Sequence, residues 1–187
     1  MENTKKKYIY ISIGIAVAIL VILVFSCIFF VFQNKNVTYS TITASDGSFE
    51  INFPSNIRYQ INQSQNNDFA IDLYSNQDEM FFYATKISKS REIDLYQIVV
   101  DDKENYLKEK QNIQDDSGII PFTIGNYKSY EYKFVHSDSS YGKDFYSNVV
   151  WIETDTNLYV LNFEVVTDNM EKYQDIFLNI KNSFVEL

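Results

Sequence analysis

Apolar residues run without interruption from Tyr8 to Phe32, whereas the rest of the chain alternates between short apolar segments and polar turns. The uninterrupted segment has 25 residues, of which 17 are Ile, Leu, Val or Phe, and it contains no charge. As a helix it would be about 37 Å long, which is enough to cross a hydrocarbon core of about 30 Å. We therefore predict a transmembrane helix over residues 8–32.

The charges on either side of this segment predict its orientation. Three consecutive lysines precede it, whereas Lys35 alone follows closely. The positive-inside rule therefore places residues 1–7 in the cytoplasm as a short tail and the chain after the helix outside the cell. The residues that bound the anchor are Lys5, Lys6, Lys7, Tyr8 and Phe32.

Three other interpretations of the apolar segment compete with an uncleaved anchor. A cleaved signal peptide has an apolar region of about 7–15 residues, which is much shorter, and a buried core helix does not fit the length and the basic flank. A lipoprotein signal is the closer alternative, because Val24–Cys27 loosely resembles a lipobox ahead of the only cysteine. Against it, Phe25 is bulky and the apolar run continues through Ile28–Phe32. We favour the anchor, with lipid modification at Cys27 as the alternative.

After residue 38, period-two alternation of apolar and polar residues predicts a series of strands. Ser48–Phe53 alternates most clearly, and Asp46-Gly47 before it indicates a hairpin with Thr38–Ala44. Met80–Ser88 is apolar on both faces at its start, which predicts a central strand. The other predicted strands are Phe69–Ser75, Ile119–Ile124, Tyr127–His136, Phe145–Thr154 and Leu158–Val166.

Apolar residues at helical spacing predict two helices. The first begins after Asp94, which can cap it, and runs to about Lys110. The second follows Asp168 and carries an apolar stripe from Met170 to Phe184, and Ser183–Leu187 is expected to leave it as a short closing strand. Hairpins interrupted by two helices indicate an α+β fold with a mainly antiparallel sheet. We predict one extracytoplasmic domain over residues 39–187, joined to the anchor by a tether at 33–38.

The composition of the part after residue 32 limits its partners. The chain has 16 Lys and Arg and 25 Asp and Glu, and removal of the three lysines and one glutamate before residue 33 leaves a net charge of −11. This acidity argues against nucleic acid as a partner. The same part contains no cysteine, so its stability must come from the core rather than from disulfides. An extracytoplasmic domain of this kind favours a Gram-positive bacterium.

The residues that could perform chemistry form no recognised pattern. His136 is the only histidine, which is too few for a zinc site, and no glycine-rich phosphate loop is present. The loop from Asp138 to Asp144 does not have the spacing of a calcium-binding EF-hand, so we interpret it as a polar turn. Asp101 and Asp102 are neighbours on a helix and therefore point in different directions. We interpret the loop pair Asp115-Asp116 as solvated and Trp151 as a core residue. The sequence therefore predicts no catalytic, cofactor-binding or metal-binding residue.

Several segments resemble PsbP-like domains. Ser48–Pro54 is an aromatic-rich strand that ends in proline, Gly125-Asn126 precedes the strand Tyr127–His136, and Ile180–Phe184 closes the second helix. The resemblance covers residues 39–187 and implies a central antiparallel sheet flanked by helices. Photosystem II extrinsic subunits, a Ran-binding nuclear import factor and bacterial envelope proteins share this fold, mostly as non-enzymatic accessory or binding modules. Because the bacterial members share a fold and not a site, no functional residue carries over.

We therefore expect a non-enzymatic, membrane-anchored extracytoplasmic binding or accessory module. Residues 8–32 would hold it in the lipid bilayer, and its partner would be a protein of the membrane or envelope. One alternative is a subunit of a larger membrane or envelope assembly. The other is a cell-envelope hydrolase that uses carboxylates, which requires a cleft with two convergent acids and a raised carboxyl pKa.

Overall fold

A computed structural model of the protein describes residues 37–61, 69–89 and 93–187. The predicted anchor, with Lys5, Lys6, Lys7, Tyr8, Phe32 and Cys27, lies outside the described residues. Within the described ranges, no helix combines the length and the apolar character needed to cross a membrane. The transmembrane helix therefore stays a prediction from the sequence.

Strands and two helices alternate along the described part of the chain. The strands are β1 Tyr39–Thr43, β2 Phe49–Pro54, β3 Gln60–Ile61, β4 Ile71–Ser75, β5 Met80–Ser88, β6 Gln111–Gln114, β7 Ile119–Ile124, β8 Tyr127–Asp138, β9 Lys143–Glu153, β10 Asn157–Val166 and β11 Val185–Glu186. The helices are α1 Leu95–Lys108 and α2 Met170–Asn182, and a 3-10 turn at Thr167–Asn169 leads into α2.

Two antiparallel sheets make up the scaffold. The small sheet has the order β1-β2-β11. The large sheet has the order β3-β4-β5-β10-β9-β8, and the outer edge of β8 pairs with β7 along its first half and with β6 near its end. The strand pairs of both sheets are antiparallel. The predicted α+β fold with a mainly antiparallel sheet and two helices is confirmed.

The two faces of the large sheet bury separate cores. On one face, α1 covers a core that includes Tyr132, Phe134 and Trp151. On the other face, α2 and the small sheet cover a larger core that includes Phe163 and Phe177. Because side chains alternate along each strand, β8, β9 and β10 supply residues to both cores. The molecule thus has three layers, with the large sheet in the middle.

Local sequence explains most of the element boundaries. Asp94 caps α1, because its Oδ1 accepts hydrogen bonds from the backbone N–H groups of Tyr96 and Gln97 at 3.0 and 3.4 Å. Gly125 has a φ of 57°, a left-handed conformation that glycine adopts without steric cost in the tight turn between β7 and β8. The predicted central strand, Met80–Ser88, is β5 with the predicted bounds and lies between β4 and β10.

Two strands were not predicted from the sequence. β3 has two residues and β6 has the polar sequence Gln111–Gln114, so neither shows an alternating pattern of useful length. β6 also pairs irregularly with β8. Its Asn112 and the following Asp115 both have a φ of 51°, a conformation that Asn and Asp tolerate better than most residues. A bulged polar edge strand of this kind is hard to distinguish from a loop in sequence.

Candidate functional site

A cavity of about 430 Å³ lies between α2 and the paired strands β8 and β9. Its volume falls within the range of about 300–1,000 Å³ that is usual for small-molecule sites. Its lining combines apolar, amide, phenol and charged side chains. We call it the α2 cavity and treat it as the candidate binding site.

The strand register builds the floor of the α2 cavity. Lys133 of β8 lies directly opposite Asn148 of β9, and Val135 lies opposite Tyr146. All four are lining residues, because side chains two apart on a strand project from the same face of the sheet. Asn148, Val135 and Tyr146 are buried.

One face of α2 supplies the wall. The lining residues of this helix are Met170, Gln174, Asp175, Phe177, Leu178 and Lys181. Each of them lies three or four residues from another, which places them on one side of the helix. Phe177 is anchored in the core by stacking on Phe163 at a centroid distance of 4.8 Å. Leu178, by contrast, is 48% exposed and lies at the mouth.

The connection between β6 and β7 contributes the rim through Asp115 and Ser117. The backbone N–H of Ser117 donates to the carbonyl of Lys133 at 2.9 Å. The backbone N–H of Lys133 in turn donates to Oγ of Ser117 at 3.0 Å. These two bonds fix the rim against the strand that carries the floor.

A buried carboxylate joins the two lysines of the cavity. Glu131 accepts a hydrogen bond from Nζ of Lys181 at 2.5 Å, and its other oxygen lies 3.0 Å from Nζ of Lys133. Burial alone would raise the pKa of Glu131, but the hydrogen bonds and charges of Lys181 and Lys133 outweigh it and lower that pKa. The carboxylate is therefore ionised, and one negative charge faces two positive charges.

Asn148 leaves an acceptor unused in the floor. Its Oδ1 is buried and has no hydrogen-bond partner among the described residues. Burial, together with the charge of Glu131, raises the pKa of the neighbouring Tyr146 to about 12, so this phenol stays neutral at physiological pH. A buried polar atom without a partner is unusual enough to call for an explanation such as a bound ligand.

A second polar cluster lies on the opposite face of the large sheet, around Glu164. Its Oε1 accepts hydrogen bonds from the hydroxyls of Tyr106 and Ser147 and from Nζ of Lys110, at 2.6, 3.1 and 3.2 Å. His136 Nε2 lies 3.5 Å from the same oxygen. Burial would raise the pKa of Glu164, but the surrounding donors and the Lys110 charge outweigh it and lower that pKa to about 2.

The carboxylate of this second cluster is satisfied from within the protein, whereas His136 Nε2 and Asn162 Oδ1 have no hydrogen-bond partner among the described residues. Several donors converge on one carboxylate, and Tyr106 also accepts a hydrogen bond from Nδ2 of Asn162 at 3.0 Å. The cavity beside Glu164, lined also by Phe81 and Tyr141, measures only about 170 Å³. We therefore assign this cluster to the stability of the α1 side and the α2 cavity to binding.

The structure shows where the candidate residues named from the sequence lie. His136 is buried within β8 rather than at its end. In the loop before β9, Asp138 accepts from the backbone N–H of Ser140 at 2.8 Å, as in an ordinary polar turn. In the described part of the chain, no group of three or more His, Cys, Asp or Glu residues could hold a metal ion.

The two aspartates on α1 point in different directions, as the sequence predicted. Asp101 is exposed, whereas Oδ2 of Asp102 accepts from the Tyr132 hydroxyl at 2.8 Å and from Nε1 of Trp151 at 2.9 Å. Asp102 is therefore not simply solvated but anchors α1 to the sheet. The prediction that Trp151 belongs to the core is confirmed.

Sequence reasoning did not identify the lining residues of the α2 cavity. A signal was present, since Glu131 and Lys133 share a strand face with the apolar Val135, and Lys181 continues the buried stripe of α2. Polar residues at core-facing positions are costly unless they have partners or a function. The pairing of Lys133 with Asn148, however, depends on the register between β8 and β9, which cannot be read from the sequence pattern.

Comparison with known proteins gives a match in structure rather than in sequence. No family model matches the chain, and no curated protein matches it in sequence. LpqN, described as involved in cell envelope biogenesis of Mycobacterium tuberculosis, superposes with a TM-score of 0.57 at 14% identity, over 82% of this chain and 93% of LpqN.

Two further structures extend the comparison to other lineages. Cyanobacterial PsbP from Synechocystis superposes with a TM-score of 0.57 at 6% identity, over 82% of this chain and 95% of that protein. The Saccharomyces cerevisiae Ran-binding protein Mog1p superposes with a TM-score of 0.55 at 9% identity, over 80% of this chain and 96% of Mog1p. The chain therefore has a PsbP-like fold, which it shares with Mog1p and with LpqN.

Proposed function

We propose that this chain is a non-enzymatic accessory module that binds a partner through the α2 cavity while residues 8–32 hold it at the outer face of the membrane. The observation that carries the proposal is the cavity itself, with its apolar wall, its two lysines and its unpartnered Asn148. These are the features of a recognition site that is formed before its ligand arrives.

The electrostatics of the described carboxyl groups give no support to the hydrolase alternative. Five carboxyl groups have a displaced pKa, and in each the surrounding hydrogen bonds outweigh burial and lower it. They are Asp46, Asp116, Glu131, Glu164 and Glu186. A hydrolase that works with a general acid needs a displacement in the opposite direction. No observation on the described residues therefore favours the carboxylate-based alternative.

The structural neighbours are compatible with this function. One is described as involved in cell envelope biogenesis and another as a Ran-binding protein. The lysine-flanked apolar segment would place the domain where an envelope protein acts.

Site-specific photocrosslinking tests the binding surface. A photoreactive phenylalanine analogue replaces Leu178 at the mouth of the cavity in the full-length protein in its native membrane. The matched control carries the analogue at Tyr96 on α1, because both residues are 48% exposed and they belong to opposite faces of the large sheet. We expect a discrete adduct from position 178 and none from position 96.

A cavity-filling variant provides the second arm. Gln174 is an exposed lining residue, so Gln174→Trp can fill the cavity from the helix without entering the core. We expect this change to remove the adduct formed at position 178. Equal adducts from positions 178 and 96, or an adduct that survives Gln174→Trp, would contradict a binding role for the cavity.

The anchor is tested separately by the mass of the N-terminal segment of the purified protein. An unmodified segment that includes residues 8–32, together with resistance to extraction of the membranes at high pH, supports the uncleaved helix. A chain that begins at a lipid-modified Cys27 would support the lipoprotein alternative. Full release of the protein from the membranes would contradict both.

A further inference from the structure

Resting on the proposed function, we infer that the α2 cavity recognises an α-substituted carboxylate: a single carboxylate with an N–H or O–H donor on the adjacent carbon and an apolar side chain. A free apolar amino acid and the carboxyl end of a peptide both have this chemistry.

The two lysines of the cavity indicate the carboxylate. Lys133 and Lys181 both line the cavity, and the one buried carboxylate between them, Glu131, neutralises a single positive charge. Lys181 is buried, so its charge is poorly screened by solvent. A ligand carboxylate beside these ammonium groups would accept charge-assisted hydrogen bonds from them, in addition to those that Glu131 accepts.

The rim limits how much negative charge the ligand can carry. Asp115 and Asp175 line the cavity and are exposed. They would repel a polyanion, and they would attract an ammonium group that points outwards. The lining therefore favours one carboxylate directed inwards, with a neutral or positive group at the mouth.

Asn148 indicates the donor and its distance from the carboxylate. Its unpartnered Oδ1 needs an N–H or O–H group, and Asn148 lies directly opposite Lys133 across the strands. The Cβ atoms of such a pair are about 4.5–5.5 Å apart. Both protein groups therefore start from neighbouring points of the floor, which is compatible with a ligand whose N–H or O–H group and carboxylate share one α-carbon.

The remaining lining residues account for the apolar side chain of the ligand. Val135, Met170, Phe177 and Leu178 offer a hydrocarbon surface beside the polar floor. A cavity of about 430 Å³ can hold one apolar residue with its flanking groups, but not an extended chain.

Titration of the full-length protein in detergent micelles with four probes tests the inference. The probes are N-acetyl-leucine, leucine, the tripeptide Ala-Ala-Leu, and N-acetyl-leucinamide, which lacks the carboxylate. We expect saturable binding of at least one of the first three and at least about tenfold weaker binding of the amide, because a hydrogen bond to a charged group is lost. Binding of leucine alone identifies a free amino acid as the source, and binding of the tripeptide identifies a peptide end.

Two variants locate the bound probe. Lys133→Gln should weaken carboxylate binding about tenfold, whereas Lys128→Gln, the same change on the other face of β8, should leave it unaltered. Asn148→Leu should also weaken binding about tenfold, because the donor of the ligand loses its acceptor.

Three results would overturn the inference: no saturable binding of any carboxylate, binding of the amide as tight as that of the acid, or equal effects of Lys133→Gln and Lys128→Gln. Each of these results can be distinguished from failure of the proposed function. An adduct at position 178 that Gln174→Trp removes, without carboxylate binding, keeps the cavity as a binding site and rejects only this ligand class.

Discussion

Glu164 shows how a single carboxylate can make the stability of the domain depend on pH. The donors around it lower its pKa to about 2, from an ordinary value of 4.5. Because the folded-state pKa lies below the unfolded-state value, the stabilisation is complete above about pH 4.5 and is lost as the pH falls towards 2. The difference corresponds to roughly 3 kcal/mol.

The first prediction is that Glu164→Gln flattens this acid dependence. Between about pH 4.5 and pH 2.5, the free energy of unfolding should fall by about 2 kcal/mol less in the variant than in the natural chain, because the proton-linked contribution of Glu164 is absent. Urea unfolding at a series of pH values measures it. The control is Glu104→Gln, at an exposed position, and its free energy of unfolding should fall with pH as much as that of the natural chain. Parallel curves for Glu164→Gln and the natural chain would contradict the assignment.

Asp102 accepts hydrogen bonds from two buried side chains and differs in this respect from its neighbour Asp101. Our second prediction is that Asp102→Ala lowers the free energy of unfolding by about 2–4 kcal/mol, because Tyr132 and Trp151 lose their acceptor inside the core. Trp151 is the only tryptophan, so its fluorescence during urea unfolding reports the change directly. Asp101→Ala should cost less than about 0.5 kcal/mol. Similar losses for the two variants would show that Asp102 does not anchor α1.

At the scale of elements, the two helices begin differently. Asp94 caps α1 through its side chain, whereas the N-cap of α2, Asn169, makes no such bond. We predict that Asp94→Ala costs about 1 kcal/mol of stability in urea unfolding. Asp168→Ala, in the 3-10 turn before α2, is the control and should cost less than half of that. If the two substitutions cost the same, side-chain capping does not explain the start of α1.

Sequence patterns predicted the elements whose residues face two clearly different environments. In β2 the apolar side chains of Phe49, Ile51 and Phe53 are fully buried, and this contrast with their neighbours is visible as alternation. The polar β6 lies at a sheet edge and buries almost nothing, so its residues carry no such contrast. Amphipathic contrast, rather than strand propensity, is therefore what made this fold predictable.

The α2 cavity was not predictable by the same means. Lys133 and Asn148 become neighbours through the β8–β9 register, and Lys181 reaches them from a helix more than thirty residues further along the chain. Alternation shows that these polar residues face inwards, but it does not show which of them meet. The site therefore depends on tertiary pairing, whereas the fold depends on local pattern.

At the scale of the whole molecule, β11 holds the two sheets together. It pairs with β2 of the small sheet, while Oε1 of Glu186 accepts hydrogen bonds from the hydroxyl of Tyr159 at 2.9 Å, from Oγ1 of Thr154 at 2.9 Å and from Nδ2 of Asn157 at 2.8 Å. Those three partners lie in or beside the β9–β10 hairpin of the large sheet. The residues after α2 therefore close the core that the two sheets share.

Phe184 supplies the apolar part of this closure, and the last prediction concerns it. The buried ring packs against Phe49 of the small sheet and Tyr159 of the large sheet, at centroid distances of 5.4 and 4.9 Å. Phe184→Ala should therefore lower the free energy of unfolding by about 3–5 kcal/mol, because it leaves a cavity between the sheets. Leu187→Ala, at a position that is 65% exposed, is the control and should change it by less than about 0.5 kcal/mol.

Because the cavity opens where both sheets meet, unfolding of Phe184→Ala should remain a single transition, and hydrogen exchange of β2 and β10 should accelerate together. Faster exchange of β2 alone would mean that the small sheet unfolds separately and that Phe184 does not join the two layers.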